Sequence, residues 1–193
     1  LSARSNCCGF WTIEDTRLRK RGLLDWEFQK LLQQQAERGA MIQAGHRAPG
    51  FELDRLGGGR VSLGQILSNG PAAIVFFKAS CPTCQLALPY LDRLKDGALP
   101  LYAISQDDAA RTREFLRLFP LQMPVLLDAA AGGYVASNAY GIEYVPSLFV
   151  IEAGGEISMT CEVFDRRLYE GLARRAGRLM FQPGEAVPPY KPG

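Results

Sequence analysis

Cys81 and Cys84, three positions apart, are the residues of this chain whose type and spacing could do chemistry. A Cys-x-x-Cys pair can make and break a disulfide reversibly. One thiolate attacks a substrate disulfide, and the second thiol then attacks the mixed bond that results. The thiolate is the reactive species, so the first cysteine needs a place where negative charge is favoured. Pro82 follows it directly, and proline suits the first position of a helix, where its missing N–H would have had no partner. Cys81 would then stand at a helix N-terminus, among unpaired N–H groups at the positive end of the dipole. Cys84 would lie one turn further on and face the same way. The other use of such a pair is half of a zinc site. That requires a second pair, and neither Cys161 nor the vicinal Cys7 and Cys8 has the spacing.

For these cysteines to work as argued, a buried strand must deliver them and a helix must follow. Ala72-Ala73-Ile74-Val75-Phe76-Phe77 is a continuous apolar run of strand length, as expected of a strand covered on both faces. It leads through Lys78-Ala79-Ser80 into the pair. Beyond it Leu86, Leu88, Leu91 and Leu94 predict a helix that Pro89 should kink. Before the run, 48–53 and 57–63 read as two short extended segments around a glycine turn. After it, 99–105 is a strand. Asp107-Asp108 opens a helix that carries Phe115, Leu116, Leu118 and Phe119 and stops at Pro120. Val125-Leu126-Leu127 is a further strand and 134–140 a short helix. Residues 147–151 and 157–164 form a hairpin around Gly154-Gly155, and Asp165 caps a last helix. This order predicts one α/β layer structure with a mixed sheet.

Composition narrows the function classes. The chain has 193 residues, of which 47% are hydrophobic and 22% charged, enough for a sizeable core. Lys+Arg 22 against Asp+Glu 20 leaves a net charge of +2, and residues 1–40, with seven basic and five acidic side chains, carry all of it. No basic face for nucleic acid follows. His46 is the one histidine, which removes most His-based metal sites and triads. Neither metal nor cofactor is expected. Five cysteines are an odd number in a chain too large to need disulfide staples. The longest apolar runs are too short to cross a bilayer. No secretory signal is visible after Leu1, so the location reads as cytoplasmic, or periplasmic if a signal was removed ahead of residue 1.

Three domains of organisation are expected. Residues 1–40 form an N-terminal helical extension, in which Leu24, Phe28, Leu31 and Leu32 repeat at helical spacing behind a basic cluster from Arg17 to Arg21. Residues 41–180 are the main domain. Residues 181–193, with Pro183, Pro188, Pro189 and Pro192, are a Pro-rich extended tail. Met41 is the first methionine, and residues 1–40 are expected to be dispensable for the redox reaction.

The stretch Val75-Phe76-Phe77-Lys78-Ala79-Ser80-Cys81-Pro82-Thr83-Cys84 resembles the active-site strand and helix of thioredoxin-fold proteins. Ala48-Pro49-Gly50-Phe51-Glu52-Leu53 and Gly141-Ile142-Glu143-Tyr144-Val145-Pro146-Ser147 are similar to the redoxin or TlpA-like branch, related to AhpC/TSA proteins. The resemblance spans about residues 41–180. It implies a thioredoxin-like fold, a central mixed β-sheet flanked by helices, and a thiol–disulfide oxidoreductase. Carried over, Cys81 is the attacking and Cys84 the resolving cysteine. Pro146 matches the family's cis-proline, with Val145 before it. Substrate contact is implied at Val145 and Pro146 and at Pro82 and Thr83. The partners would be protein or small-molecule thiols and disulfides, and a redox partner that recycles the pair.

The departures from the pattern matter too. Thioredoxins have Trp before the first cysteine and Gly-Pro inside the pair, where this chain has Ser80 and Pro82-Thr83. Their buried carboxylate falls on Val75, so no buried base for Cys84 is expected, although Glu143 near Pro146 is an acid that could reach the site. Ala87 stands where cytochrome-maturation relatives carry glutamate. A peroxiredoxin-like thiol peroxidase is the alternative, but its Pro-x-x-x-Thr/Ser-x-x-Cys pattern finds Ile74 and Lys78 before Cys81, and Phe77 and Cys81 before Cys84. A copper carrier would want a histidine downstream of its cysteines, and His46 is upstream. Lys78 is either a cation that favours the Cys81 thiolate or a solvated strand-end lysine. Cys161 reads as a small core residue.

Overall fold

A computed structural model describes residues 40–193, so the expected helix of residues 1–40, with Cys7 and Cys8, lies outside the described residues. Among the described residues, nine strands and five α-helices follow one another as β1 (Glu52–Arg55), β2 (Arg60–Ser62), α1 (Leu63–Leu67), β3 (Ala72–Phe77), α2 (Pro82–Asp92), β4 (Leu101–Ser105), α3 (Ala109–Leu118), β5 (Val125–Leu127), α4 (Val135–Ala139), β6 (Ser147–Ile151), β7 (Ile157–Glu162), β8 (Phe164–Asp165), α5 (Arg166–Ala176) and β9 (Tyr190–Lys191). Seven strands form one mixed sheet in the order β2-β1-β5-β4-β3-β6-β7. β3, β4 and β5 run parallel, while β6 and β7 return antiparallel beyond β3 and β1 pairs antiparallel with β5. The α/β layer structure with a mixed sheet read from the sequence is therefore the observed one.

β3 sits inside the sheet, and all six of its side chains are 0% exposed. Its two faces serve two cores, as the period of two requires. Ala73, Val75 and Phe77 point into a layer with Leu88 and Leu91 of α2, Phe115 of α3, and Tyr169 and Leu172 of α5. Ala72, Ile74 and Phe76 point into the other, with Ile66 of α1, Ala136 of α4, and Tyr140. Full burial of each large side chain contributes about 1.5–3 kcal/mol, so the register of β3, and with it the place where the chain leaves the sheet toward Cys81, is strongly specified.

The helices start where side chains take up free N–H groups. Ser62 and Gln65 form a reciprocal capping box on α1 (3.2 and 2.8 Å), Asp108 accepts from Arg111 N at 2.8 Å, and Asp165 accepts from Arg167 N at 2.8 Å. Buried Asp128 does the same for α4, accepting from Ser137 N at 2.6 Å and Ala136 N at 3.2 Å. α2 runs unbroken from Pro82 to Asp92 with Pro89 inside it, and the proline ring lies exposed. Residues 181–193 pack onto the domain: Phe181 and Val187 are buried, and Tyr190–Lys191 pairs antiparallel with Phe164–Asp165. Sequence periodicity carries no sign of this two-residue strand.

Candidate active site

The sulfur pair lies at the C-terminal end of β3, where the chain turns from the sheet into α2. The turn is held by its own backbone and by a neighbouring loop. Cys81 N donates to Lys78 O (3.2 Å), and the peptide of Ala79 is gripped on both sides. Its N–H donates to Asp107 Oδ2 at 2.6 Å, and its carbonyl accepts from Gln85 Nε2 at 3.0 Å. Asp107 is brought there by parallel pairing. Phe77 of β3 stands opposite Ser105 of β4, so residues two beyond each strand end meet. A 3.4 Å contact with Arg111 Nε holds the second carboxylate oxygen.

Cys81 is the N-cap of α2, with Pro82 in its first turn. Its sulfur accepts from Cys84 N at 3.2 Å and lies 3.2 Å from the carbonyl oxygen of Val145, to which the protonated thiol donates. The Val145–Pro146 bond is cis. Pro146 is buried and Val145 half-buried, and the segment is tied to the hairpin by Val163 N donating to Pro146 O at 2.7 Å. Cys84 is 0% exposed and packs among the apolar side chains under α2, whereas Cys81 is half-buried.

The two thiols are electrostatically unlike. A hydrogen bond from the Cys84 thiol is the largest influence on Cys81. Partial burial opposes it, and the backbone N–H groups of Cys84 and Thr83 and the positive charge of Lys191 add to it; together they lower Cys81 from 9.0 to about 6. Burial first, then its bond to Cys81 and the negative charges of Cys81 and Asp107, push the Cys84 thiol far up. Burial likewise raises Cys161 to about 12, and it lies in the core on β7.

The remaining residues singled out in the sequence separate clearly. Lys78 is exposed and is not among the groups acting on Cys81; the cation that acts there is Lys191, more than a hundred residues away in sequence. Glu143 is exposed, and the carboxylate whose charge bears on Cys84 is Asp107, half-buried beyond β4. Asp107 had been legible only as part of a helix opening; the parallel neighbourhood of β3 and β4 was the signal that could have found it. Thr83 is buried and its hydroxyl donates to Pro192 O, while exposed Pro82 has its carbonyl taken by Lys191 Nζ at 3.2 Å. His46 is exposed. Among the described residues no three His, Cys, Asp or Glu side chains converge as a metal site would need, and no helix is long and apolar enough to cross a membrane.

A mixed sheet of this order, with a dithiol at the start of the helix after the interior strand β3 and a cis-proline opposite, defines a thioredoxin-like protein. The thioredoxin domain of a thiol-disulfide oxidoreductase from Bacteroides vulgatus has the same fold, with a TM-score of 0.62 at 19% identity, covering 70% of this chain and 99% of that one. Residues 44–160 match the AhpC/TSA family, and the chain belongs to it. It is 34% identical over 103 residues to the methylamine utilization protein MauD of Methylobacillus flagellatus, covering 52% of this chain and 46% of MauD. It is 25% identical over 108 residues to the thiol-disulfide oxidoreductase YkuV of Bacillus subtilis, covering 51% of this chain and 71% of YkuV. The chain thus spans about half the length of MauD and under three quarters of YkuV.

Proposed function

We propose that this protein is a thiol–disulfide oxidoreductase that exchanges disulfides through Cys81 and Cys84. The observation that carries the reading is the asymmetry of the pair: a half-buried sulfur at the start of α2, 3.2 Å from Cys84 N and from Val145 O, beside a fully buried one, an arrangement that lowers Cys81 to about 6 and pushes Cys84 far up. With a value near 6, about nine-tenths of Cys81 is thiolate at pH 7. That thiolate attacks one sulfur of a substrate disulfide. The substrate S–S bond breaks, the departing sulfur leaves as a thiolate that takes a proton from solvent, and a mixed disulfide remains on Cys81. Cys84 then loses its proton to solvent and attacks the Cys81 sulfur, releasing the second substrate thiol. Two electrons pass from the Cys81–Cys84 dithiol to the substrate, and the reverse sequence oxidises a substrate dithiol.

Cys84 carries no charge until Cys81 has been consumed. Once Cys81 is a neutral mixed disulfide, its share of the upward push on Cys84 disappears, so the second step becomes easier only after the first. The similarity to YkuV, a thiol-disulfide oxidoreductase, supports the same chemistry, and the substrates proposed are protein or small-molecule thiols and disulfides, with a separate redox partner that recycles the pair.

One preparation tests the reading by insulin reduction with dithiothreitol as the electron donor, hydrogen peroxide consumption and metal content. The expected result is insulin reduction that Cys81→Ser abolishes, with Cys84→Ser accumulating mixed disulfides. Peroxide consumption without insulin reduction, or alkylation that labels Cys84 before Cys81, would overturn it.

A further inference from the structure

Residues 190–193 lie on the rim of the dithiol site and touch three of the four residues to which substrate contact is assigned. Lys191 Nζ donates to Pro82 O at 3.2 Å, and Pro192 O accepts from the Thr83 hydroxyl. Gly193 packs so tightly on the cis-proline segment that a Cβ there would stand 2.5 Å from Val145 O and 3.1 Å from a Val163 methyl. The segment is anchored along its length. Tyr190–Lys191 pairs with Phe164–Asp165, Arg166 N donates to Pro189 O at 3.0 Å, Val187 is buried, and Glu185 holds Arg93 through two bonds of 2.8 and 2.9 Å. The segment is thus held in an ordered position against the rim of the site, with Lys191 close enough to favour the Cys81 thiolate.

We propose that residues 190–193 determine substrate class: they fill the strip beside Cys81 on which an extended polypeptide would lie, so small disulfides react directly and polypeptide disulfides only after the strap is displaced. This rests on the disulfide-exchange reading of Cys81 and Cys84. The geometry is specific. Val145 O lies 3.2 Å from Cys81 Sγ and Pro82-Thr83 follow it directly, so a chain joined to that sulfur and laid along the cis-proline segment runs its flanking residues past Val145 and over Pro82-Thr83. Both paths are taken by residues 191–193. A small disulfide needs only the half-exposed sulfur. Its reaction breaks the S–S bond as above and does not call for the strip.

The test compares the full chain with Gly193→Val, whose side chain cannot share space with the Val145 carbonyl, and with Lys191→Met, which removes the bond to Pro82 and the charge. Each reduced protein is mixed with excess insulin or excess oxidised glutathione, quenched with acid and alkylated, and Cys81–Cys84 oxidation is counted by mass spectrometry. A clash at residue 193 that lifts the strap breaks its bonds from Thr83 to Pro192 O and from Lys191 to Pro82 O, and the loss of one or two ordinary hydrogen bonds corresponds to about tenfold in its closed population. The rate constant with insulin is therefore expected to rise about tenfold in Gly193→Val, with that for oxidised glutathione changing less than about twofold. Lys191→Met should also raise the insulin rate and move the Cys81 inflection upward. An equal rise for both substrates, no rise for insulin, or a fall for insulin would overturn the proposal, the last by making the strap a platform for the substrate. If the full chain oxidises with neither disulfide, the exchange reading itself fails, and the strap's role with it.

Discussion

Removing the Cys84 thiol with Cys84→Ala deletes the largest influence on Cys81 while leaving in place the backbone N–H of residue 84, 3.2 Å from the sulfur. A hydrogen bond to a charged group contributes about 1.5–3 kcal/mol, and one pKa unit is about 1.36 kcal/mol, so the Cys81 inflection should move from about 6 to between about 7 and 8. The remaining N–H donors and Lys191 keep it below the unperturbed value. Truncation of one sulfur in the core costs about 1 kcal/mol, too little to unfold a domain of ordinary stability. The assay is the rate of iodoacetamide alkylation of Cys81 against pH, read by mass spectrometry. A single-pH rate would mislead. At pH 7 a shift to about 7.5 cuts the thiolate from about nine-tenths to about a quarter, but the more basic thiolate is about fivefold more nucleophilic, and the two nearly cancel. The informative quantities are the inflection and a plateau about fivefold higher. Cys84→Ser, which keeps an O–H donor, should fall between. An inflection that stays near 6 in Cys84→Ala would refute the reasoning and assign the thiolate to the helix start alone.

Asp107→Ala strips the acceptor from the Ala79 N–H and should destabilise the domain by about 1–3 kcal/mol, read as a lower urea midpoint at unchanged slope. Tyr140→Phe leaves Pro49 O without its 3.0 Å donor inside the core and should cost about 1 kcal/mol by the same measurement. Glu185 is held down to about 2, first by its bonds from Arg93 and then by Gln182 N, so what it adds to stability is present above about pH 4.5 and lost as the pH falls through about 2. Arg93→Met should flatten the pH dependence of unfolding in that acid window. Phe76→Ala empties the contact with Tyr140 (ring centroids 5.4 Å) and Phe149 (6.0 Å) and should cost about 3–5 kcal/mol by thermal unfolding.

Local chemistry was enough to place the dithiol. A six-residue apolar run too short for a helix and bounded by turn signals reads as a buried strand, proline after a cysteine suits a helix start, and the three-residue spacing puts both sulfurs on one side of the first turn; all three are short-range, and the sequence by itself determined them. The same holds for Asp108 and Asp165 as caps, because a cap acts within three residues of its own position. What surrounds the sulfurs was decided by tertiary structure. Asp107 reaches Ala79 because two parallel strands end level with each other, and no residue near Cys81 in the sequence reports that pairing. Lys191 rather than Lys78 acts on the thiolate, since a strand-end lysine points to water while a two-residue strand across β8 carries the distant one to Pro82. The proline-rich stretch, unable to donate along its length, reads locally as an unpaired tail. Its place on the site comes from the buried Val187 and from the Arg93–Glu185 pair and the Thr83 hydroxyl, contacts that span 92 and 109 positions and that only the folded chain brings together.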